Sequence, residues 1–231
     1  MLHIDLVSRI ISLFFKIVST VIILLIILTL SEPYADQEIV LKEGKGAQIG
    51  LVLDRSASMD DPFAGGDNNK SIAETKSAAA SRLIVDFFNS RTDDMVGVIT
   101  FSNSAMFILP LTNNKEAIRA AVSATAGNAL FQTNIAAGLS SSAELFTSIE
   151  NSGSRAVILL SDGAGRIDAK TQQKIKEWFE KYQIGLYWIV LRQPRGISIF
   201  EEDVPLHQDY QLPPQIELYE FFKTFKSPFQ A

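Results

Sequence analysis

Hydrophobic and polar positions divide this chain into two regimes. From Ile10 to Leu30 it is apolar on every side, 21 residues interrupted by a single charge, Lys16. Beyond a polar connector at 31–45, apolar runs of strand length alternate with segments whose apolar residues recur at helical spacing. The runs Ile49 to Leu53, Val96 to Phe101, Ala156 to Leu160 and Leu186 to Leu191 are almost continuously apolar, as strands covered on both faces of a parallel sheet must be. Tyr187 and Trp188 accordingly read as core. Between the runs, three sets keep helical spacing: Ile72, Ala79, Leu83 and Phe87; Ile135, Leu139, Leu145 and Phe146; Ile175, Trp178, Phe179 and Tyr182. Each set predicts an amphipathic covering helix. Met106 to Leu111 follows Val96 to Phe101 after only Ser102-Asn103-Ser104, which is too short for a crossover and predicts a hairpin. Gln215 to Phe225 reads as a last helix. The expected fold class is α/β: a Rossmann-like, doubly wound, mostly parallel sheet over 46–231 with one antiparallel edge strand.

The apolar leader changes the picture next. At about 1.5 Å per residue, 10–30 just spans a bilayer core of about 30 Å. Arg9 and Lys16 lie on its N-terminal side, while Glu32, Asp36 and Glu38 follow it. The positive-inside bias therefore predicts residues 1–9 in the cytoplasm, a transmembrane helix at 10–30, and the remaining chain across the membrane, outside the cytoplasm. A cleaved signal peptide is the competing reading, but Pro33 spoils the small-x-small pattern before Ala35.

Composition narrows the chemistry. The chain of 231 residues has no cysteine, so disulfides, thiolate metal sites and cysteine nucleophiles are excluded. Its two histidines are His3, in the leader, and His207, in a polar late segment, so a zinc hydrolase or a Ser-His-Asp triad would rest on His207 alone. Net charge is −5, and because 1–30 holds two basic side chains and one acidic, the remainder is more acidic still. Nucleic acid is not an expected partner.

Three separated pieces carry the candidate chemistry: Asp54-Arg55-Ser56-Ala57-Ser58 and Ser161-Asp162-Gly163, each ending an apolar run, and Thr133 at the entry to a helix beginning near Asn134. Ligands collect outside the carboxyl ends of such strands, where strand order reverses. Asp54, Ser56, Ser58, Thr133 and Asp162 supply five oxygen ligands and no nitrogen or sulfur, a set suited to Mg²⁺, with Mn²⁺ or Ca²⁺ as alternatives. Neutral hydroxyls hold a cation without quenching its charge. Carboxylates acting through water orient the shell and leave the metal electrophilic.

The order Asp-x-Ser-x-Ser, then Thr, then Ser-Asp-Gly resembles the metal-ion-dependent adhesion site (MIDAS) of the von Willebrand factor type A domain. The resemblance covers about 46–231. It implies direct ligation by Ser56 and Ser58, direct or water-mediated ligation by Thr133, and action mainly through water by Asp54 and Asp162. It further implies a partner protein offering an aspartate or glutamate. Ala57 stands where that family usually has glycine, and Phe131-Gln132 where glycines often precede the threonine. A narrower likeness, in Asp54 to Gly65, Lys76 to Ala80, and Leu186-Tyr187-Trp188 leading into Leu191-Arg192, is to membrane-anchored type A domain proteins of bacterial methanol-oxidation and aerotolerance operons. That likeness implies a periplasmic assembly or metal-insertion factor. It also implies a domain short of its final helix, with an apolar groove exposed.

Two other readings bear on function. A metal-dependent hydrolase or phosphoryl-transfer enzyme needs a nucleophile or base beside the cation, and Ser56 stands where aspartate-nucleophile phosphatases carry a second aspartate. Gly163-x-Gly165 is half a dinucleotide fingerprint and lacks the third glycine. In the loop after the first strand, Asp60, Asp61, Phe63, Gly65, Gly66 and Asp67 read as solvated, with a possible part in partner selection for Asp60, Asp61 and Phe63.

Overall fold

The computed structural model describes residues 2–30, 46–64, 74–91, 93–125, 130, 132–147, 153–194, 198–200 and 212–225. The chain forms two compact units, 1–42 and 43–231. Among the described residues the first holds one helix, α1 (Leu2–Leu30), in which the stretch Ser8–Ile27 has a mean hydropathy of 2.8 and no buried residue. An all-round apolar helix of this length is long enough to cross a membrane.

The second unit is a five-stranded sheet covered by helices. In chain order it comprises β1 (Gln48–Asp54), a 3₁₀ turn at Ala57–Asp60, α2 (Lys76–Asn89), β2 (Met95–Phe101), β3 (Ala105–Thr112), α3 (Lys115–Thr125), α4 (Ile135–Glu144), β4 (Arg155–Ser161), α5 (Ala169–Lys181), β5 (Ile184–Val190) and α6 (Pro214–Lys223). Strand order is β3-β2-β1-β4-β5, with β1, β2, β4 and β5 parallel and β3 antiparallel to β2, as the short hairpin requires. Winding reverses between β1 and β4. In register, Asp54 lies opposite Phe101 and Leu53 opposite Leu160, so β1 and β4 deliver Asp54 and Ser161 to the same rim.

Strand alternation separates two cores. Ile49, Leu51, Leu53, Val96, Val98 and Leu160 face Ala80, Ile84 and Phe88 of α2 and Ile118 and Val122 of α3. Val52, Ile99, Phe101, Val157 and Leu159 face α4, α5 and α6 through Leu139, Ile175, Phe179, Leu218 and Phe221. Gly138 lets α4 approach closely, since a β-carbon there would sit 2.7 Å from the Phe101 ring.

Two expectations shift. The buried stripe of α2 runs through Ala80, Ile84 and Phe88, whereas Leu83 is half-buried and Phe87 exposed; Ile72 lies outside the described residues. Tyr187 is not core: on the face covered by α2 and α3, Tyr187 and Ile189 of β5 are 42% and 40% exposed. Trp188 points to the other face, where its ring meets Phe222 edge-on at 5.3 Å. Among the described residues, α6 is the last element.

Candidate metal centre

Asp54 organises the rim. Its carboxylate is buried, with Oδ1 accepting the Ser56 amide at 2.8 Å and Oδ2 accepting the Ser161 hydroxyl at 2.5 Å. Ser161 Oγ in turn accepts from the Gly163 amide at 3.0 Å. One carboxylate thereby ties together the loops after β1 and β4. Burial pushes the Asp54 carboxyl above its ordinary range, against the lowering effect of the Ser161 and Ser56 hydrogen bonds, and the Asp162 charge adds to the rise. A raised folded value means that the folded state binds the proton more tightly than the unfolded one. The contribution to stability is therefore complete below the unfolded pKa and is lost as pH rises through the folded one. In chelator, Asp54→Asn is expected to flatten this part of the stability profile, read by urea denaturation between pH 4 and 8; an unchanged slope assigns the dependence to another group.

Ser56 and Ser58 provide the hydroxyl edge. Met59, fully buried, anchors the 3₁₀ turn that follows Ser56 and so fixes half-buried Ser58 beside it. The two Oγ atoms lie 3.1 Å apart. Oxygens on adjacent corners of an octahedron with bonds of about 2.1 Å are separated by about 3.0 Å, so this hydrogen-bonded pair is spaced to share a cation of the size of Mg²⁺ or Mn²⁺.

Thr133 arrives on a separate loop. Leu130 donates its amide to the Arg55 carbonyl at 2.8 Å and bridges Ser56, which pins this loop against the one after β1. Asn134 then starts α4: its amide donates to Ser102 O at 2.6 Å and its side-chain oxygen caps Ala137 N at 3.0 Å. Half-buried Thr133 sits between these anchors, its carbonyl 3.1 Å from where a β-carbon on Gly165 would lie. Gln132 holds φ at 74°, the left-handed region, at a position where glycine was expected. An L-residue there costs about 1–2 kcal/mol.

Asp162 has protein partners of its own on this rim. Its Oδ2 accepts a 2.8 Å hydrogen bond from Lys76 Nζ, and its Oδ1 accepts the Ala164 amide at 3.2 Å. Lys76 is 1% exposed. Its ammonium also lies 3.9 Å from Asp61 Oδ2, and Asp61 accepts a hydrogen bond from the Gln193 side chain after β5. Lys76 and the Ser161 hydroxyl lie within the sequence motifs but carry no role there. The available signals were a lysine at the first position of a helix, where the helix dipole disfavours a cation, and a serine completing the second motif.

The structure therefore joins Asp54, Ser56, Ser58 and Ser161 through hydrogen bonds, sets the Thr133 loop against Arg55 and Gly165, and puts Asp162 on the same rim with its own partner. Gly163 holds φ at 76°, and a β-carbon there would meet the Trp188 ring at 2.6 Å; the Trp188 indole donates to Ser161 O at 3.1 Å. The glycine serves this turn, which accounts for it without a dinucleotide. Asp60 is exposed and Phe63 half-buried, while Gly65, Gly66, Asp67 and His207 lie outside the described residues. Among the described residues, no three His, Cys, Asp or Glu side chains cluster as a metal site, so a cation here depends on hydroxyl oxygens.

The von Willebrand factor type A domain model matches residues 49–164, from β1 through the loop after β4, and encloses all five candidate ligands. The chain belongs to the von Willebrand factor type A domain family. Its second unit superposes on an aerotolerance-related membrane protein from Bacteroides fragilis with a TM-score of 0.56 at 19% identity, covering 77% of this chain and 87% of that one. BatB from Bacteroides thetaiotaomicron gives a TM-score of 0.57 at 19% identity, covering 79% and 89%. The type A domain of SpRpn10 gives 0.54 at 12% identity, covering 79% and 83%. At these identities the likenesses show the fold. No curated protein matches the chain.

Proposed function

We propose that this type A domain is a non-catalytic, metal-dependent protein-binding module held at the bacterial inner membrane by α1, with the domain facing the periplasm. Ser56, Ser58 and Thr133 ligate Mg²⁺, or Mn²⁺ or Ca²⁺ in its place. Asp54 and Asp162 act through water, and a partner's aspartate or glutamate completes the octahedron. The partner reading extends to assembly of, or metal insertion into, a periplasmic enzyme.

The observation that carries this reading is the division of labour at the rim. Both Asp54 oxygens are already engaged by protein donors, whereas the Ser56 and Ser58 hydroxyls lie 3.1 Å apart at an octahedral edge. Neutral ligands leave most of the cation's charge for an incoming anion. A hydrolase is less well supported, because Asp54 is buried between two protein donors and Asp162 is paired with the Lys76 ammonium, which disfavours either as a general base.

The test is titration calorimetry of Mg²⁺, Mn²⁺ and Ca²⁺ into the full chain in detergent micelles. Saturable binding at one site, Mg²⁺ and Mn²⁺ ahead of Ca²⁺, is expected, with roughly a tenfold to hundredfold loss in Asp162→Ala as the orienting carboxylate disappears. A folded chain that takes up none of the three cations contradicts the proposal.

A further inference from the structure

Lys76 breaks one local rule and meets another only through its pairing with Asp162. Lysine is almost never fully buried unless paired, and a cation at a helix N-terminus opposes the helix dipole. Nevertheless Lys76 opens α2 with its side chain 2% exposed. The helix start is secured by other means: Thr75 caps Ala78 N at 3.2 Å, and Lys76 N donates to Asp61 O at 3.0 Å. The ammonium is therefore not needed to form the helix. A side chain that violates local preference while its surroundings hold it in place marks a functional position.

We infer that Lys76 is a built-in counter-ion of the candidate metal centre. It neutralises Asp162, weakens the affinity for a divalent cation, and leaves the bound cation with excess positive charge for a carboxylate ligand. The inference rests on the metal-binding reading proposed above. The geometry that carries it is the 2.8 Å contact of a buried ammonium with one of the two site carboxylates, reinforced by Asp61 at 3.9 Å. Asp54 and Asp162 alone would cancel a divalent cation. With Lys76 in place, one unit of positive charge remains, in surroundings where charges interact more strongly than in water. The same ammonium repels the metal, so cation affinity and carboxylate affinity are traded against each other. The ligand class is an anionic side-chain carboxylate in preference to a neutral amide or hydroxyl.

The experiment compares the full chain in micelles with Lys76→Met and Lys76→Gln. Gln keeps a donor toward Asp162, so that one neutral variant remains folded even where Met leaves the carboxylate stranded. Mn²⁺ is titrated by calorimetry, and acetate is then titrated into the Mn²⁺-loaded proteins while water-proton relaxation reports displacement of metal-bound water. The neutral variants are expected to bind Mn²⁺ roughly tenfold to a hundredfold more tightly and acetate several-fold more weakly. In an Asp162→Asn background the Mn²⁺ gain should shrink to the part that comes from direct repulsion between the ammonium and the metal, because neutralisation of that carboxylate no longer contributes. Mn²⁺ affinity that is equal or weaker in folded neutral variants overturns the counter-ion role while leaving the metal site standing. Mn²⁺ binding by none of the proteins removes the metal-binding reading itself, and this inference with it.

Discussion

Asp54→Ala is expected to abolish saturable Mg²⁺ and Mn²⁺ binding and to destabilise the fold by about 1–3 kcal/mol. The substitution strips the acceptor from two donors, the Ser56 amide and the Ser161 hydroxyl, both in buried residues. A buried donor left unsatisfied costs about 1–3 kcal/mol. Part of that is returned, because Asp54 is a carboxylate held against the cost of its own burial. The loss of binding has a separate origin. Asp54 is what holds the Ser56 backbone next to Ser161, and with it the 3.1 Å hydroxyl pair, so its removal releases the loop after β1 from the loop after β4. Calorimetry on the full chain in micelles reads the first effect and urea denaturation the second. Retention of wild-type Mn²⁺ affinity by a folded Asp54→Ala protein would sink the proposed site, whatever the change in stability.

Phe101→Ala should produce the largest loss of stability among single core changes near the site, about 3–5 kcal/mol, the range for truncating a buried aromatic ring. Phe101 is 1% exposed, ends β2, and gives its carbonyl to the Arg55 amide at 2.8 Å. Its ring lies where Gly138 brings α4 down onto the sheet. The shape of this contact gives the prediction a second arm. In the native protein Gly138→Ala pushes a β-carbon to 2.7 Å from the ring and is expected to cost about 1–3 kcal/mol through overpacking. After Phe101→Ala the ring contacts are gone and only Val52 Cγ1, at 3.1 Å, still crowds the β-carbon, so the higher helix propensity of alanine, worth about 1 kcal/mol, makes the same change close to neutral. Urea midpoints for the four proteins, at constant m-value, give the coupling directly. Additive losses would show that α4 is not seated on the ring.

Much of the architecture was legible in the chain. The apolar runs located β1, β2, β4 and β5, and the three-residue hairpin loop dictated the antiparallel β3, because these features depend on neighbours in sequence. The helical stripes were less sharply legible. Phe87 and Phe88 are both large and apolar, so periodicity alone does not say which faces inward; burial falls on Phe88. Helix α3 went unpredicted because its inward stripe, Ile118, Ala121 and Val122, is short and carries one long aliphatic side chain. Tyr187 and Ile189 sit in a continuous apolar run, yet the helices α2 and α3 cover their face of the sheet without reaching them.

At the site, the sequence by itself determined the candidate oxygens and their three loops: the set Asp54, Ser56, Ser58, Thr133 and Asp162 at strand ends and a helix entry, with the apolar leader ahead of them. Strand hydrophobicity and motif spacing are local properties, and they survive reading in one dimension. Only the tertiary structure decided how those oxygens are engaged. It joined Ser161 to Asp54 across 107 positions and Lys76 to Asp162 across 86, making one candidate carboxylate also a loop clamp and the other also one half of a buried ion pair. Such pairings follow from the register of β1 against β4 and from the seat of α2 on the sheet. Those are set by packing over the whole domain, and no local pattern in the chain encodes them.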